Sequence, residues 1–120
     1  PAIFRYYYNM NTVKYFKALS DSIRVRILHL IEDTELCVCN LSSILNMPQS
    51  SLSHHLALLK DAGYIESRKN GKWSYYKLNK FTGEDERSIL LKILLENTFQ
   101  DPDVIVDTEK KLQLHGVCIK

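Results

Sequence analysis

Apolar residues recur at helical spacing through the first half of the chain. The opening group is aromatic, Phe4, Tyr7 and Tyr8, followed by Val13, Phe16 and Leu19, with Asn11 or Thr12 placed to cap a new start between them. Ser20 reads as the N-cap of the next helix, where Ile23, Ile27, Leu30 and Ile31 fall at i, i+4, i+7 and i+8 and form one apolar face. Asp33 and Thr34 end it. A short helix from about Cys39 to Leu45 buries Leu41, Ile44 and Leu45; Asn46 and Met47 turn the chain, and Pro48 suits the first helical position of the following element. That element runs to Lys60 on a stripe of Leu52, Leu56 and Leu59, with Gly63 placed just past its end.

The period then changes from helical to alternating. Tyr64–Lys69 and Trp73–Leu78 are β-prone runs flanking Asn70-Gly71, a strong hairpin signal. After the hairpin, Glu84, Asp85 and Glu86 place negative charge at the start of another helix. Its apolar residues, Ile89 to Leu91 and Ile93 to Leu95, cover more than one face, so part of it is expected to meet a partner chain. Asp101-Pro102 starts a last short helix of weak periodicity, stopped by Gly116 before a tail. Helix, tight turn, helix and hairpin is the order of a winged helix-turn-helix. The expected fold is mainly α with a β-hairpin wing, a single DNA-binding domain over 1–120. Its recognition helix lies at about 48–62, its wing at about 64–79, and its C-terminal helix and tail at 84–120.

Composition adds little until charge is placed along the chain. At 120 residues, 45% hydrophobic and 25% charged, this is an ordinary globular composition for one domain. No apolar run approaches the roughly 20 residues that span a bilayer, and no secretory pattern opens the chain, so a cytoplasmic protein with no membrane partner is expected. The net charge of +2 hides an asymmetry: between Gln49 and Lys80 six basic residues face only Asp61 and Glu66, whereas acids outnumber bases from Phe81 onward. A basic middle suggests a part that faces nucleic acid.

With the leucine stripe inward, the opposite face of the recognition helix shows Gln49, Ser50, Ser51, Ser53, His54 and Ala57. Gln, Ser and His bond base edges, and small residues let a helix sit deep in a major groove. Arg68, Lys69 and Lys72 at the hairpin tip would hold phosphates or enter the minor groove, positioning more than specifying. Of the adjacent His54 and His55, one is expected to face DNA and the other to pack or cap.

Three cysteines, an odd number, argue against a disulfide scaffold. Cys37 and Cys39 stand one residue apart at the entrance to the reader. Thiolates prefer soft or borderline ions such as Cu(I), Zn(II) and Cd(II), and trivalent arsenic or antimony. Within an α-helix residues i and i+2 lie about 200° apart, so one ion held by both favours a non-helical turn. Chelation and the DNA-bound shape would then compete. A third ligand is needed for trigonal S3 coordination, and Cys118 is the one thiol left. It would act within its own chain or across to a partner; the alternative for all three is small buried hydrophobes or an idle tail thiol.

From about Tyr15 to Leu78 the chain resembles the ArsR/SmtB family of metal-sensing winged-helix repressors. The resemblance rests on Phe16-Lys17-Ala18-Leu19-Ser20-Asp21 with Arg24–Leu30, on Glu35-Leu36-Cys37-Val38-Cys39-Asn40-Leu41, on Ser50–Lys60, and on Gly71-Lys72-Trp73 with Tyr75-Tyr76. It implies a homodimer built on the first and last helices, binding an inverted-repeat operator in double-stranded DNA and released by metal. The Cys-Val-Cys box matches the branch induced by arsenite and antimonite and, in relatives, by cadmium or lead, with Cys37 and Cys39 as inducer ligands. The arsenic-type box often continues Asp-Leu-Cys; here those positions hold Asn40, Leu41 and Ser42. The third thiol must then come from elsewhere, which keeps Cys118 as a candidate. The aspartate/histidine zinc site of other members is absent from its expected place on the last helix.

Two other readings compete with an arsenite-induced repressor. One is a thiol redox sensor on the same scaffold, which would need Cys118 to bridge to Cys37 or Cys39, because a helical Cys-x-Cys pair is badly placed to bridge itself. The other is a constitutive DNA-binding protein whose cysteines only pack. An enzyme is not indicated: no nucleophile triad, paired-carboxylate arrangement or phosphate-binding glycine loop is recognisable.

Overall fold

The computed structural model describes residues 10–114, so the N-terminal aromatic group and the tail with His115 and Cys118 lie outside the described residues. Among the described residues six helices and three strands follow in order: α1 (Asn11–Leu19), α2 (Ser22–Leu30), β1 (Leu36–Cys37), α3 (Val38–Leu45), α4 (Gln49–Asp61), β2 (Ile65–Asn70), β3 (Trp73–Leu78), α5 (Glu86–Thr98) and α6 (Pro102–Gln113). The expected winged helix-turn-helix is present, with α3 and α4 as its two helices.

Local chemistry explains the boundaries. Asp21, not Ser20, caps α2: its Oδ1 accepts from the backbone N–H of Ile23 at 2.8 Å and of Arg24 at 3.2 Å. Ser20 instead closes α1, its hydroxyl donating to the Lys17 carbonyl at 2.9 Å. Between α3 and α4 the chain reverses at Asn46, whose φ of 52° and ψ of 51° put it in the left-handed region that asparagine tolerates better than most residues. Pro48 sits one place earlier than expected, as the N-cap of α4 in extended conformation. At α6 the proline does occupy the first turn, behind Asp101, whose carboxylate accepts from the Asp103 N–H at 2.9 Å.

The hairpin turn also falls one residue later than expected. Asn70 pairs with Trp73, so the loop is Gly71–Lys72. Gly71 has φ 64° and Lys72 does not have a positive φ, the pattern of a type II′ turn with glycine first. The sheet has a third strand that alternation could not reveal. β1 pairs antiparallel with β3, Leu36 opposite Tyr76 and Cys37 opposite Tyr75, giving the order β1-β3-β2.

The core joins the reader to its support. Ile27, Leu28, Leu30 and Ile31 meet Leu41 and Ile44 of α3, Leu52, Leu56 and Leu59 of α4, and Tyr64 and Ile65 at the wing base. Burying each such aliphatic side chain stabilises by roughly 1.5–3 kcal/mol. On α5 only Leu91 is fully buried among the apolar residues, while Ile89 and Ile93 remain 49% and 55% exposed. Val13 and Phe16 of α1, the helix that packs beside α5, are 41% and 55% exposed. Helix α6 braces the other side: Asp107 takes two bonds from Arg26, and Lys110 and Lys111 reach the Ile44 carbonyl and Asp33. Among the described residues no helix is long and apolar enough to cross a membrane.

Candidate nucleic-acid interface and thiol site

Burying Leu52, Leu56 and Leu59 turns the rest of α4 outward. Gln49, Ser50, Ser51, Ser53, His54 and Ala57 are all exposed on it. The two histidines diverge as their spacing implies. His54 faces solvent, while His55 turns inward, its Nδ1 3.0 Å from Nη1 of Arg24. A guanidinium only donates, so Nδ1 must accept and the proton of the neutral ring sits on Nε2. Arg24 is itself buried, its Nε and Nη2 donating to the carbonyls of Ala18 at 2.7 Å and Lys17 at 3.1 Å. The recognition helix is thus keyed to the α1–α2 corner through one histidine. Burial pushes the His55 imidazole below its ordinary value, against the opposing pull of Asp21.

On the wing, Lys69 and Lys72 are exposed, and the Lys72 ammonium lies 5.2 Å from the centre of the Trp73 ring. Arg68 differs from the expectation that it sits at the hairpin tip and holds phosphate. Its Nε donates to Glu35 Oε1 and Oε2 at 3.0 and 2.9 Å and its Nη2 to Oε1 at 2.6 Å, while its guanidinium stacks 4.5 Å from the Tyr75 ring centre. The pair joins the wing to the segment that leads into the thiols.

Cys37 and Cys39 come together at the junction of strand and helix. Cys37 is extended, with φ −82° and ψ 161°, and serves as the N-cap of α3; Cys39 lies in that helix's first turn. The pair therefore straddles the helix boundary instead of lying within the helix. Their Cα atoms are 5.4 Å apart and their sulfurs are joined as a disulfide. The expectation that this pair is badly placed to bridge itself is corrected: it assumed two helical residues, and only one is helical. Cys37 is completely buried and Cys39 half-buried.

Asn40 completes the helix entrance. Its backbone N–H donates to Cys37 Sγ at 3.4 Å, and its Oδ1 accepts from the Cys37 N–H, also at 3.4 Å. This is a capping box with sulfur in the place of a hydroxyl. An asparagine makes these bonds without putting a carboxylate beside the two sulfurs. Ser42, at the place of the family's third cysteine, donates its hydroxyl to the Met47 carbonyl at 2.7 Å and so holds the turn. Among the described residues no group of three or more His, Cys, Asp and Glu side chains is arranged to hold a metal ion. Two thiols are what this part of the chain offers a soft ion.

Sequence reasoning met Glu35, Arg24 and Tyr75 only inside longer motifs and gave them no role, yet they tie the site together. Tyr75 is paired across the sheet with Cys37 on one side and Arg68 on the other. Only the hairpin register and a two-residue strand put it there.

Comparison with known proteins bears on the same elements. Residues 21–67 match the model of the bacterial regulatory protein arsR family. The chain is 42% identical over 91 residues to a cadmium resistance transcriptional regulatory protein CadC homolog of Staphylococcus aureus, covering 75% of this chain and 69% of that one. It is 43% identical over 68 residues to the arsenical resistance operon repressor of Escherichia coli K12, covering 56% of this chain and 58% of the relative. Among solved structures, HlyU from Vibrio cholerae N16961 superposes with a TM-score of 0.64 at 33% identity, over 75% of this chain and 94% of that one. The family match lies on the reader itself, and the chain belongs to the ArsR family of bacterial regulatory proteins, DNA-binding transcriptional regulators and not enzymes.

Proposed function

We propose that this regulator is a repressor induced by arsenite or antimonite, which binds an inverted-repeat operator as a homodimer and leaves it when the metalloid takes its thiolates. The observation that carries the reading is the meeting of the Cys37 and Cys39 sulfurs at the first turn of α3. The far end of α3 leads through Asn46 into the recognition helix. An ion bonded to Cys37 adds a second substituent to the sulfur that accepts the Asn40 N–H and re-aims its remaining lone pairs. It also holds the two sulfurs apart, since each metal–sulfur bond is roughly 2.3 Å. Loosening that entrance shifts α3, the strand pairing at Tyr75 and the reader together. By linkage, DNA weakens ion binding by the factor that the ion weakens DNA binding.

Gln49, Ser50, Ser51, Ser53 and His54 would read bases, and Lys69 and Lys72 would hold phosphates, joined by Arg68 when it leaves Glu35. The exposed apolar residues Val13, Phe16, Ile89 and Ile93 are the surface for the second copy. Cys118 is the proposed third ligand, from the same chain or from the second copy. Lys111 ties the end of α6 to Asp33 at 2.7 Å, four residues ahead of Cys37.

The test is an ultraviolet titration of the reduced protein with arsenite, following sulfur-to-arsenic charge transfer, repeated on Cys37→Ser and Cys118→Ser. Stoichiometric binding lost in the first variant and weakened in the second is the expected result; no binding by the unaltered protein overturns the reading. The CadC relative favours one further arm with cadmium in place of arsenite. A cadmium–thiolate band with no arsenite response would make this a cadmium sensor instead.

A further inference from the structure

We infer that Cys37 and Cys39 are an oxidative modification site, and that their disulfide leaves the repressor on DNA but deaf to its inducer. The inference rests on the proposed function for the identity of that inducer. It reverses the usual expectation for a redox sensor, in which oxidation releases DNA.

Three observations carry it. First, the sulfurs are bridged within one chain and one turn, without calling on the tail. Second, the reader around the bridge is intact. Cys37 still caps α3 and accepts from the Asn40 N–H, Cys37 still pairs with Tyr75, and Ser42 still holds the Met47 carbonyl at the turn. The bridged Cys37 sulfur stays within hydrogen-bond distance of the Asn40 N–H, whereas an ion seated between the two thiolates has to part them. Third, the two cysteines differ in access: Cys39 is half-buried in the first turn of α3, while Cys37 is fully buried behind it. That is the arrangement of an attacking and a resolving cysteine.

With a hydroperoxide as oxidant the steps balance. The Cys39 thiolate attacks one peroxide oxygen, the O–O bond breaks, and the other oxygen leaves as hydroxide, giving Cys39 sulfenic acid. The Cys37 sulfur then attacks the Cys39 sulfur and expels the second oxygen as hydroxide. Both hydroxides take up the protons of the two thiols, so two thiols and one peroxide become one disulfide and two waters. The bridged sulfurs have no thiolate left for arsenite.

The test uses the full chain and its Cys118→Ser variant, reduced or treated with hydrogen peroxide. Each is bound to a fluorescent DNA duplex selected from a random library by the reduced protein. The expected result is a Cys118→Ser protein lighter by two hydrogens after peroxide, with DNA affinity changed less than about threefold. Arsenite should release the reduced protein and fail to release the oxidised one, and dithiothreitol should restore release. If peroxide leaves Cys118→Ser without a disulfide, or if the bridged protein leaves DNA, the inference is overturned while the proposed function stands. If arsenite fails to release even the reduced protein, the proposed function falls, and the deafness to inducer falls with it.

Discussion

Arg68 of the wing and Glu35 of the thiol segment form a forked ion pair, with three N–H···O contacts between 2.6 and 3.0 Å. A wing arginine engaged this way is not available to a phosphate. Glu35→Gln should release it: we predict DNA binding tighter by about threefold and a salt dependence steeper by roughly 0.9 in log–log slope, one extra phosphate contact. Fluorescence anisotropy across a series of salt concentrations measures both. An unchanged slope would mean that Arg68 stays off the backbone.

Arg26 and Asp107 should show unequal costs when each is removed. Asp107 is 1% exposed and Arg26 21%, so deleting the arginine strands a buried carboxylate while deleting the charge on Asp107 leaves a guanidinium that can reach water. We predict that Arg26→Met lowers stability by about 3 kcal/mol and Asp107→Asn by about 1 kcal/mol. Urea unfolding of the two variants settles the order, and equal losses would count against the asymmetry.

The half-buried histidines set a pH dependence. Burial pushes His29 down, with Glu32 and Asp101 opposing, and does the same to His55. The Thr98 hydroxyl donates to the Leu94 carbonyl, so it accepts from Nε2 of His29. Below a pH of about 6.5 the unfolded chain binds protons that the folded one refuses. Stability therefore falls as pH drops from there toward the lower folded values, and is fully present above. Asp33, held down by its bond from Lys111, acts only below its ordinary 3.8 and leaves this window clear. His29→Gln with His55→Gln should flatten the slope of stability between pH 7 and about 5; an unaltered slope would assign it to other groups.

A surface isoleucine can separate folding from assembly. Ile93 is 55% exposed, so Ile93→Glu should leave the fold of one chain in place. We predict that it turns a dimer into a monomer in sedimentation velocity and weakens operator binding at least tenfold, about 1.4 kcal/mol. A variant that still sediments as a dimer would place the interface elsewhere.

Most of the reader was legible because its helices are periodic: Ile27, Leu30 and Ile31 with the stripe of Leu52, Leu56 and Leu59 are buried, and Ile23 packs partly buried against them. Errors of one residue arose where two residue types do the same work. Ser20 and Asp21 both cap, and only Asp21 has its carboxylate over the Ile23 and Arg24 N–H groups. Asn70-Gly71 suits a turn, yet pairing of Asn70 with Trp73 moved it on by one. Strand β1 has two residues, too few for any period. The weak pattern of α6 has a cause in Asp107, a charge at a core position made tolerable by Arg26 from 81 residues away. The bridge between the two thiols was missed because it was argued for a helical pair, whereas the helix boundary falls between Cys37 and Val38.

The central claim is that inducer and DNA compete through the entrance of α3. The most direct measurement is the affinity of the reduced protein for arsenite with and without saturating DNA, beside its affinity for DNA with and without saturating arsenite. The account predicts weakening by one common factor, at least about tenfold in both directions. Arsenite that binds as tightly to the DNA-bound protein as to the protein alone would contradict it.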